Sequence, residues 1–212
     1  MAVHRLQCQC GQLAGEVDLA APVNRCTCYC LSCRAFPKVL GSADRVLDAR
    51  GGTDIVQTSP QSVRITRGRE QLAVLRLTPD GTMRWYARCC GTPIGNNVMN
   101  YRISFVGLIH DCLRDPAHSL DESFGRSLGG VFTTFAIGEP KPAQINRLGA
   151  VWRLGSMMLK ARLSGAYKNT PFFSPDGAPV AVPKVLTSEE WRDAMDGIER
   201  LGGRQPAARA AS

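Results

Sequence analysis

Residues 26–33 read Cys26-Thr27-Cys28-Tyr29-Cys30-Leu31-Ser32-Cys33 and hold four of the nine cysteines in a chain of 212 residues. Thiols this close together cannot join distant segments, and nine is an odd number, so a disulfide framework is disfavoured. The composition, 44% hydrophobic and 21% charged, is that of an ordinary globular protein, which can bury a core without a metal. The cluster therefore indicates metal binding.

Two further stretches carry the same chemistry, one before this cluster and one after it. They read Cys8-Gln9-Cys10-Gly11 and Cys89-Cys90-Gly91-Thr92-Pro93. Zinc binds soft thiolate ligands in a tetrahedron, and one tight turn can bring two thiolates to the same ion. Two such turns from separate strands complete a closed site and tie a sheet together. The sequence therefore predicts zinc as the cofactor.

The central cluster differs because Cys28, Cys30 and Cys33 supply three ligands from a single segment. Three protein ligands with an open fourth position are the pattern of catalytic zinc sites. Zinc with three thiolates is a mild Lewis acid that lowers the pKa of an incoming thiol and favours sulfur as its fourth ligand. We therefore expect carbon–sulfur chemistry more than water activation. The alternative is a structural zinc closed by Cys26 or Cys89.

The order of the three motifs resembles that of the glutathione-dependent formaldehyde-activating enzymes and the related centromere-associated proteins. The resemblance covers roughly residues 1–114 and implies a mainly β zinc-binding domain of the β-tent type. It implies that Cys8, Cys10 and Cys90 hold a structural zinc. It also implies that Cys28, Cys30 and Cys33 hold a second zinc as the catalytic residues.

One departure from the family pattern concerns the late motif, which reads Cys-x-x-Cys-Gly in the family. Here Ala87-Arg88-Cys89-Cys90-Gly91 has alanine at the first cysteine position. A local kink would make Cys89 the fourth metal ligand, although neighbouring side chains of an extended strand point to opposite faces. The alternatives are three protein ligands, or a Cys89 that faces the other metal. Cys26 is also additional, and one or two zinc ions are possible.

Alternating apolar and polar residues predict short strands in the first half of the chain. The clearest signal is a hairpin, in which Gln71–Thr78 and Thr82–Arg88 flank the turn Pro79-Asp80-Gly81. Further strands are predicted at residues 12–19, 54–58, 62–66 and 101–113, and a cysteine-rich loop at residues 24–35. The fold class predicted is mainly β with an α-helical C-terminal extension.

The character of the sequence changes near Asp115-Pro116, which we take as a domain boundary. We expect the zinc-binding β domain at residues 1–114 and a partly helical extension of unknown role at residues 115–212. Apolar spacing predicts a helix within Gln144–Lys168, and Thr187-Ser188-Glu189-Glu190 is a capping box before a helix around residues 191–201. We also expect Trp152, Phe172 and Phe173 in the core, and disorder at residues 202–212.

The basic charge is a weak indication of nucleic-acid binding. The formal net charge is +8, but zinc ligation deprotonates cysteines, so buried thiolates offset part of this surplus. Nucleic acid is therefore an unlikely partner. Arg25, Arg34 and Arg88 flank the cysteines and are either plain surface charges or groups that offset thiolate charge or bind an acidic substrate.

The expected location is the cytoplasm, where thiols stay reduced and bind metal. The first residues carry no apolar signal core, and no stretch approaches the roughly 18 apolar residues of a membrane span. We therefore expect no membrane association.

The function predicted is that of a zinc-dependent carbon–sulfur lyase. It would act at the Cys28, Cys30 and Cys33 zinc on a small thiol-containing substrate, such as a glutathione–aldehyde adduct. The alternative is a non-catalytic, zinc-stabilised binding module for protein or nucleic acid. The sequence leaves the substrate and the oligomeric state open.

Overall fold

The computed structural model describes residues 2–196 and 198, and eleven strands in this part of the chain form two sheets. The strands are β1 Val3–Gln7, β2 Ala14–Asp18, β3 Asn24–Cys28, β4 Thr53–Thr58, β5 Val63–Arg67, β6 Leu72–Arg76, β7 Met83–Ala87, β8 Thr92–Asn97, β9 Val106–Ile109, β10 Gly130–Val131 and β11 Lys184–Val185. The α-helices are α1 Leu31–Val39, α2 Ala43–Val46, α3 Leu120–Phe124, α4 Arg147–Ser164 and α5 Ser188–Met195. The predicted mainly β class with some helices is confirmed.

The smaller sheet has the strand order β1-β2-β5, and the larger has the order β10-β3-β4-β9-β8-β7-β6-β11. All pairs are antiparallel except those of the two outermost strands of the larger sheet, β10 with β3 and β11 with β6. Both outermost strands lie after residue 114 in the sequence. The second half of the chain therefore completes the two edges of the larger sheet.

Both sheets contribute side chains to one hydrophobic core. Strand alternation directs one face of each sheet to this core, in which Leu6 and Val17 of the smaller sheet join Trp85 of the larger. Phe172 and Phe173 belong to the same cluster, as predicted for core residues, and the rings of Trp85 and Phe172 lie 5.2 Å apart between centroids. The two phenylalanines thus anchor the segment before β11 to the sheets.

Helices α1 and α5 cover the other face of the larger sheet. Phe36 of α1 and Met195 of α5 share a second buried cluster with Leu75 and Ile109 of the sheet. The segment predicted as a cysteine-rich loop at residues 24–35 is instead the junction of β3 and α1. The sequence signal was present, because Asn24, Cys26 and Cys28 alternate as buried residues along β3.

The predicted hairpin forms as β6 and β7, which pair antiparallel. The strand predicted at residues 101–113 is shortened to β9, with a turn before it and a 3-10 helix at His110–Cys112 after it. The predicted capping box is present at Thr187, whose side chain accepts a hydrogen bond from the Glu190 backbone N–H at the start of α5. Residues 202–212, predicted to be disordered, lie outside the described residues.

Helix α4 forms where the apolar spacing predicts it, but with a different face inward. Met157 and Ala161 are buried, whereas Trp152 is 80% exposed, so the prediction of Trp152 as a core residue was wrong. The predicted stripe, which includes Leu148 and Leu163, faces outward because apolar residues occupy two faces of this helix. None of the helices in the described residues has the length and apolarity needed to cross a membrane.

Replacing Phe172 tests the anchoring of the second half of the chain. Phe172→Ala is expected to lower the free energy of unfolding by about 3–5 kcal/mol, because the ring is fully buried against Trp85. The matched control, Trp152→Ala on the exposed face of α4, should change it by no more than about 0.5 kcal/mol. Urea unfolding followed by circular dichroism measures both. Equal losses in the two variants would contradict the assignment of core and surface.

Candidate metal centres

Four cysteines from two turns form the first group. The Sγ atoms of Cys8, Cys10, Cys89 and Cys90 all lie within 4.8 Å of one another. Cys8 Sγ is 3.6 Å from Cys10 Sγ and 3.8 Å from Cys89 Sγ, and Cys10 Sγ is 3.3 Å from Cys89 Sγ. The structure therefore brings together Cys8, Cys10 and Cys90, which the resemblance implies for the first site, and adds Cys89, whose place the sequence left open.

The turns bring both pairs of sulfur atoms to the same place because each ends in a left-handed glycine. Gly11 (φ +74°) donates its N–H to the Cys8 carbonyl, and Gly91 (φ +66°) donates to the Ala87 carbonyl. Strand β7 ends at Ala87, so residues 88–91 turn instead of running on as an extended strand. The alternation that would separate Cys89 from Cys90 does not apply, and the kink considered from the sequence is present.

Hydrogen-bond donors surround this group. The Leu13 N–H donates to Cys8 Sγ at 3.3 Å, and the Thr92 hydroxyl lies 3.1 Å from Cys90 Sγ. Burial raises the pKa of the Cys90 thiol, but hydrogen bonds, that of Thr92 first, outweigh it and lower the pKa to about 6. Burial raises the pKa of Cys8 and of Cys89. Cys90 thus ionises more readily than Cys8 or Cys89.

The sulfur positions fit a tetrahedral thiolate site. Zinc–sulfur bonds of about 2.3 Å place the sulfur atoms of a regular tetrahedron about 3.8 Å apart. The shortest separations in the group, 3.3 to 3.8 Å, lie close to that edge. They are far longer than a disulfide bond of about 2.05 Å, and all nine cysteines are free. Soft donors at this spacing suit a soft or borderline metal ion.

Cys28, Cys30 and Cys33 form the second group at the junction of β3 and α1. Their Sγ atoms also lie within 4.8 Å of one another, and all three residues are buried. Cys28 ends β3, Cys30 is the N-cap of α1, and Cys33 lies in the first helical turn. The helix start therefore brings three thiols from six residues to one point, with Cys28 Sγ 3.4 Å from Cys30 Sγ.

Hydrogen bonds among the three thiols shift their pKa values in different directions. Hydrogen bonds with Cys28 and Cys33 lower the pKa of Cys30 well below its usual range, and the bond with Cys30 raises the pKa of Cys28. Cys30 also lies at the N-terminus of α1, where the helix dipole favours a negative charge. Metal binding would remove the protons from the other two thiols. Cys30 therefore ionises before Cys28.

No other side chain of the described residues completes the second group. Cys89 belongs to the first group, and neither Cys26 nor any histidine, aspartate or glutamate in the described part of the chain joins the three thiols. Burial raises the pKa of Cys26 to about 11, and Cys112 Sγ donates to the Ile109 carbonyl at 3.1 Å. The second group therefore offers three protein ligands where the first offers four.

A cavity of about 490 Å³ opens directly beside the second group. Cys28, Cys30 and Cys33 form part of its wall together with apolar side chains that include Ile55 and Leu77. Phe132, which also lines the cavity, has a left-handed backbone (φ 56°), which is rare for a bulky residue. The volume lies in the range of small-molecule sites. The three thiols therefore face a space that a small ligand could occupy.

Comparison with known proteins places the chain in a family. The profile described as "Family of unknown function (DUF6151)" matches residues 1–182. The chain belongs to the DUF6151 family. One solved structure, a Rhodobacter sphaeroides protein from a structural genomics programme, is 21% identical over 53% of this chain and 92% of its own, with a TM-score of 0.36. A search of curated proteins finds no match.

None of the three arginines singled out from the sequence of this DUF6151 chain lines the cavity, although Arg34 is close enough to interact with the charge of Cys30. Arg25 pairs with Asp54 at 2.7 Å, buried Arg34 donates to two backbone carbonyls, and Arg88 is exposed. The cavity is lined instead by Arg84, which the sequence reading missed. Its signal was a charged residue in the middle of an otherwise apolar strand.

Chelator resistance tests the four-thiol group. Cys89→Ala should lose one equivalent of bound metal at a chelator concentration at least about 10-fold lower than the wild type requires, because three thiols hold an ion less tightly than four. The matched control is Cys26→Ala, which removes a buried thiol outside both groups. Elemental analysis after chelator dialysis, with circular dichroism to verify folding, gives the answer. Unchanged metal retention in Cys89→Ala, or equal losses in both variants, would contradict the group.

Proposed function

We propose that this DUF6151 protein is a zinc enzyme of the type of the glutathione-dependent formaldehyde-activating enzymes. In this proposal, Cys28, Cys30 and Cys33 form a catalytic zinc site that makes or breaks a carbon–sulfur bond in a small thiol adduct. The observation that carries the proposal is the position of three buried thiols in the wall of a cavity of about 490 Å³. The order of the three cysteine motifs adds the family resemblance.

The donor set supports zinc in both groups, since thiolates are ligands that zinc prefers. Cys8, Cys10, Cys89 and Cys90 would hold a structural ion with four ligands, whereas Cys28, Cys30 and Cys33 would leave one position free. Zinc bound by three thiolates supplies a mild Lewis acid that lowers the pKa of a thiol entering the cavity. Because the three thiols line the cavity, a substrate bound in it would lie next to an ion that they hold.

The reaction proposed is the reversible addition of a thiol to an aldehyde. In the direction of synthesis the thiol sulfur bonds to the carbonyl carbon, the thiol proton leaves, and the carbonyl oxygen takes up a proton. Cleavage runs the same steps in reverse, and neither direction needs an oxidant or a reductant. The apolar wall around Ile55 and Leu77 would exclude water from the adduct.

The free state of all nine cysteines supports a reducing compartment, and we propose the cytoplasm. The partner proposed is a small thiol-containing molecule, without membrane or nucleic acid. A zinc-stabilised binding module for protein or nucleic acid is the competing function. It would need only a closed site such as the four-thiol group.

The test is whether the zinc-loaded protein accelerates the exchange between glutathione plus formaldehyde and their adduct. Magnetization-transfer NMR measures this exchange directly. Cys33→Ser should lower the enzymatic rate by on the order of 100-fold or more, since loss of an outer-shell partner alone costs 10- to 100-fold. Cys26→Ala should keep the wild-type rate. No acceleration by the wild type, or equal rates in Cys33→Ser and the wild type, would favour the binding module.

A further inference from the structure

Two side chains that line the cavity each carry a buried hydrogen-bond donor without a partner among the described residues. The donors are Arg84 Nη1 and Asn96 Nδ2, and both side chains line the cavity that the three thiols face. Arg84 is only 4% exposed. Buried donors normally have partners, because leaving one unpaired destabilises the fold. Two such side chains along one cavity indicate that a ligand supplies the acceptor.

The sheet places these two donors side by side. Arg84 of β7 pairs directly with Asn96 of β8, and the same row continues through Gly107 of β9 to Gln57 of β4. Directly paired residues carry their side chains on the same face, with Cβ atoms about 4.5–5.5 Å apart. Gly107 adds no side chain to this row. The Ile55 side chain lies over Gly107, and Arg84 and Asn96 are neighbouring polar groups on this face of the sheet.

Arg84 also lacks a carboxylate partner among the described residues, although most arginines at such depth are paired. Its guanidinium lies 5.4 Å from the centroid of the Phe36 ring, which fixes the side chain in place. Arg84 is also close enough to the second thiol group for its charge to act on Cys33. A guanidinium held in the cavity wall without a carboxylate in ion-pair contact can bind the anionic group of a ligand.

We propose that Arg84 and Asn96 form a carboxylate subsite, so that the substrate is a thiol that also carries a carboxylate. This inference deepens the proposed function and rests on it for the thiol end of the substrate. A carboxylate can accept two parallel hydrogen bonds from a guanidinium and a third from the Asn96 amide. The apolar chain between the two ends would lie against the apolar wall. The subsite then orients the sulfur toward Cys28, Cys30 and Cys33.

Calorimetric titration of the zinc-loaded protein separates the two ends of the substrate. The probes are mercaptopropionate, mercaptopropanol, which lacks the carboxylate, and propionate, which lacks the thiol. The wild type should bind mercaptopropionate at least about 10-fold more tightly than mercaptopropanol. Arg84→Met should remove this preference while leaving the affinity for mercaptopropanol and the zinc content unchanged. Arg69→Met, which removes an exposed arginine outside the cavity, is the control and should behave as the wild type.

A second variant covers the case in which Arg84→Met does not fold. Asn96→Asp keeps the shape of the side chain but places a negative charge in the subsite, so it should also abolish the preference for the acid. One further outcome is that the wild type binds propionate but neither mercaptopropionate nor mercaptopropanol through sulfur, and that the variants do not bind propionate. This result would support the carboxylate subsite and contradict the proposed thiol chemistry. Equal binding of both thiols by the wild type would overturn the subsite and leave the proposed function standing. If Arg84→Met lowered the affinities for mercaptopropionate and mercaptopropanol equally, the subsite would also be overturned. Arg84 would then serve only to offset the charge of the cysteine thiolates.

Discussion

The convergence of two distant turns on one point is the constraint on which the rest of the structure depends. Cys8 and Cys89 are separated by 81 positions in the sequence, yet their sulfur atoms lie 3.8 Å apart. One turn follows β1 of the smaller sheet, and the other joins β7 to β8 of the larger sheet. A metal ion held by all four thiols would therefore join the two sheets. Its binding free energy, about 10–16 kcal/mol for structural zinc in small peptides, would add to folding.

Local patterns predicted much of the fold. Alternation and the Pro79-Asp80-Gly81 turn predicted the hairpin, and apolar spacing predicted α4, because both signals reside in neighbouring residues. Which face of α4 is buried could not be predicted, since apolar residues occupy two of its faces and only tertiary packing chooses between them. The same limit applies to β10 and β11. Two-residue strands have no periodicity, and they exist because a sheet edge is available to pair with them.

Spacing predicted the group of Cys28, Cys30 and Cys33, and the family resemblance implied that of Cys8, Cys10 and Cys90, but the place of Cys89 stayed open. Three cysteines within six residues can meet only if the chain turns, and the start of α1 provides that turn. The pairing of Cys89 with Cys90 depended on the end of β7, a boundary that the sequence does not mark. The hydrogen-bond donors Arg84 and Asn96 could not be identified from the sequence either, because they become neighbours only through the register of β7 and β8. A site formed by residues close together in the sequence can be predicted from the sequence, whereas a site formed by residues on different strands cannot.

Helix α1 connects the two thiol groups. Its nine residues span about 14 Å at 1.5 Å per residue, from the Cys30 N-cap to the Leu40 C-cap. At its far end, a Cβ on Gly91 would come within 2.8 Å of the Leu40 carbonyl oxygen, so the turn of the first group packs tightly against the helix end. Phe36 holds the middle of the helix in the buried cluster beneath α5. An ion held by the first group would hold this turn in place, and the turn packs against the end of α1. The same helix carries Cys30 and Cys33 at its start, so the position of the cavity thiols depends on the packing of an element that both groups contact.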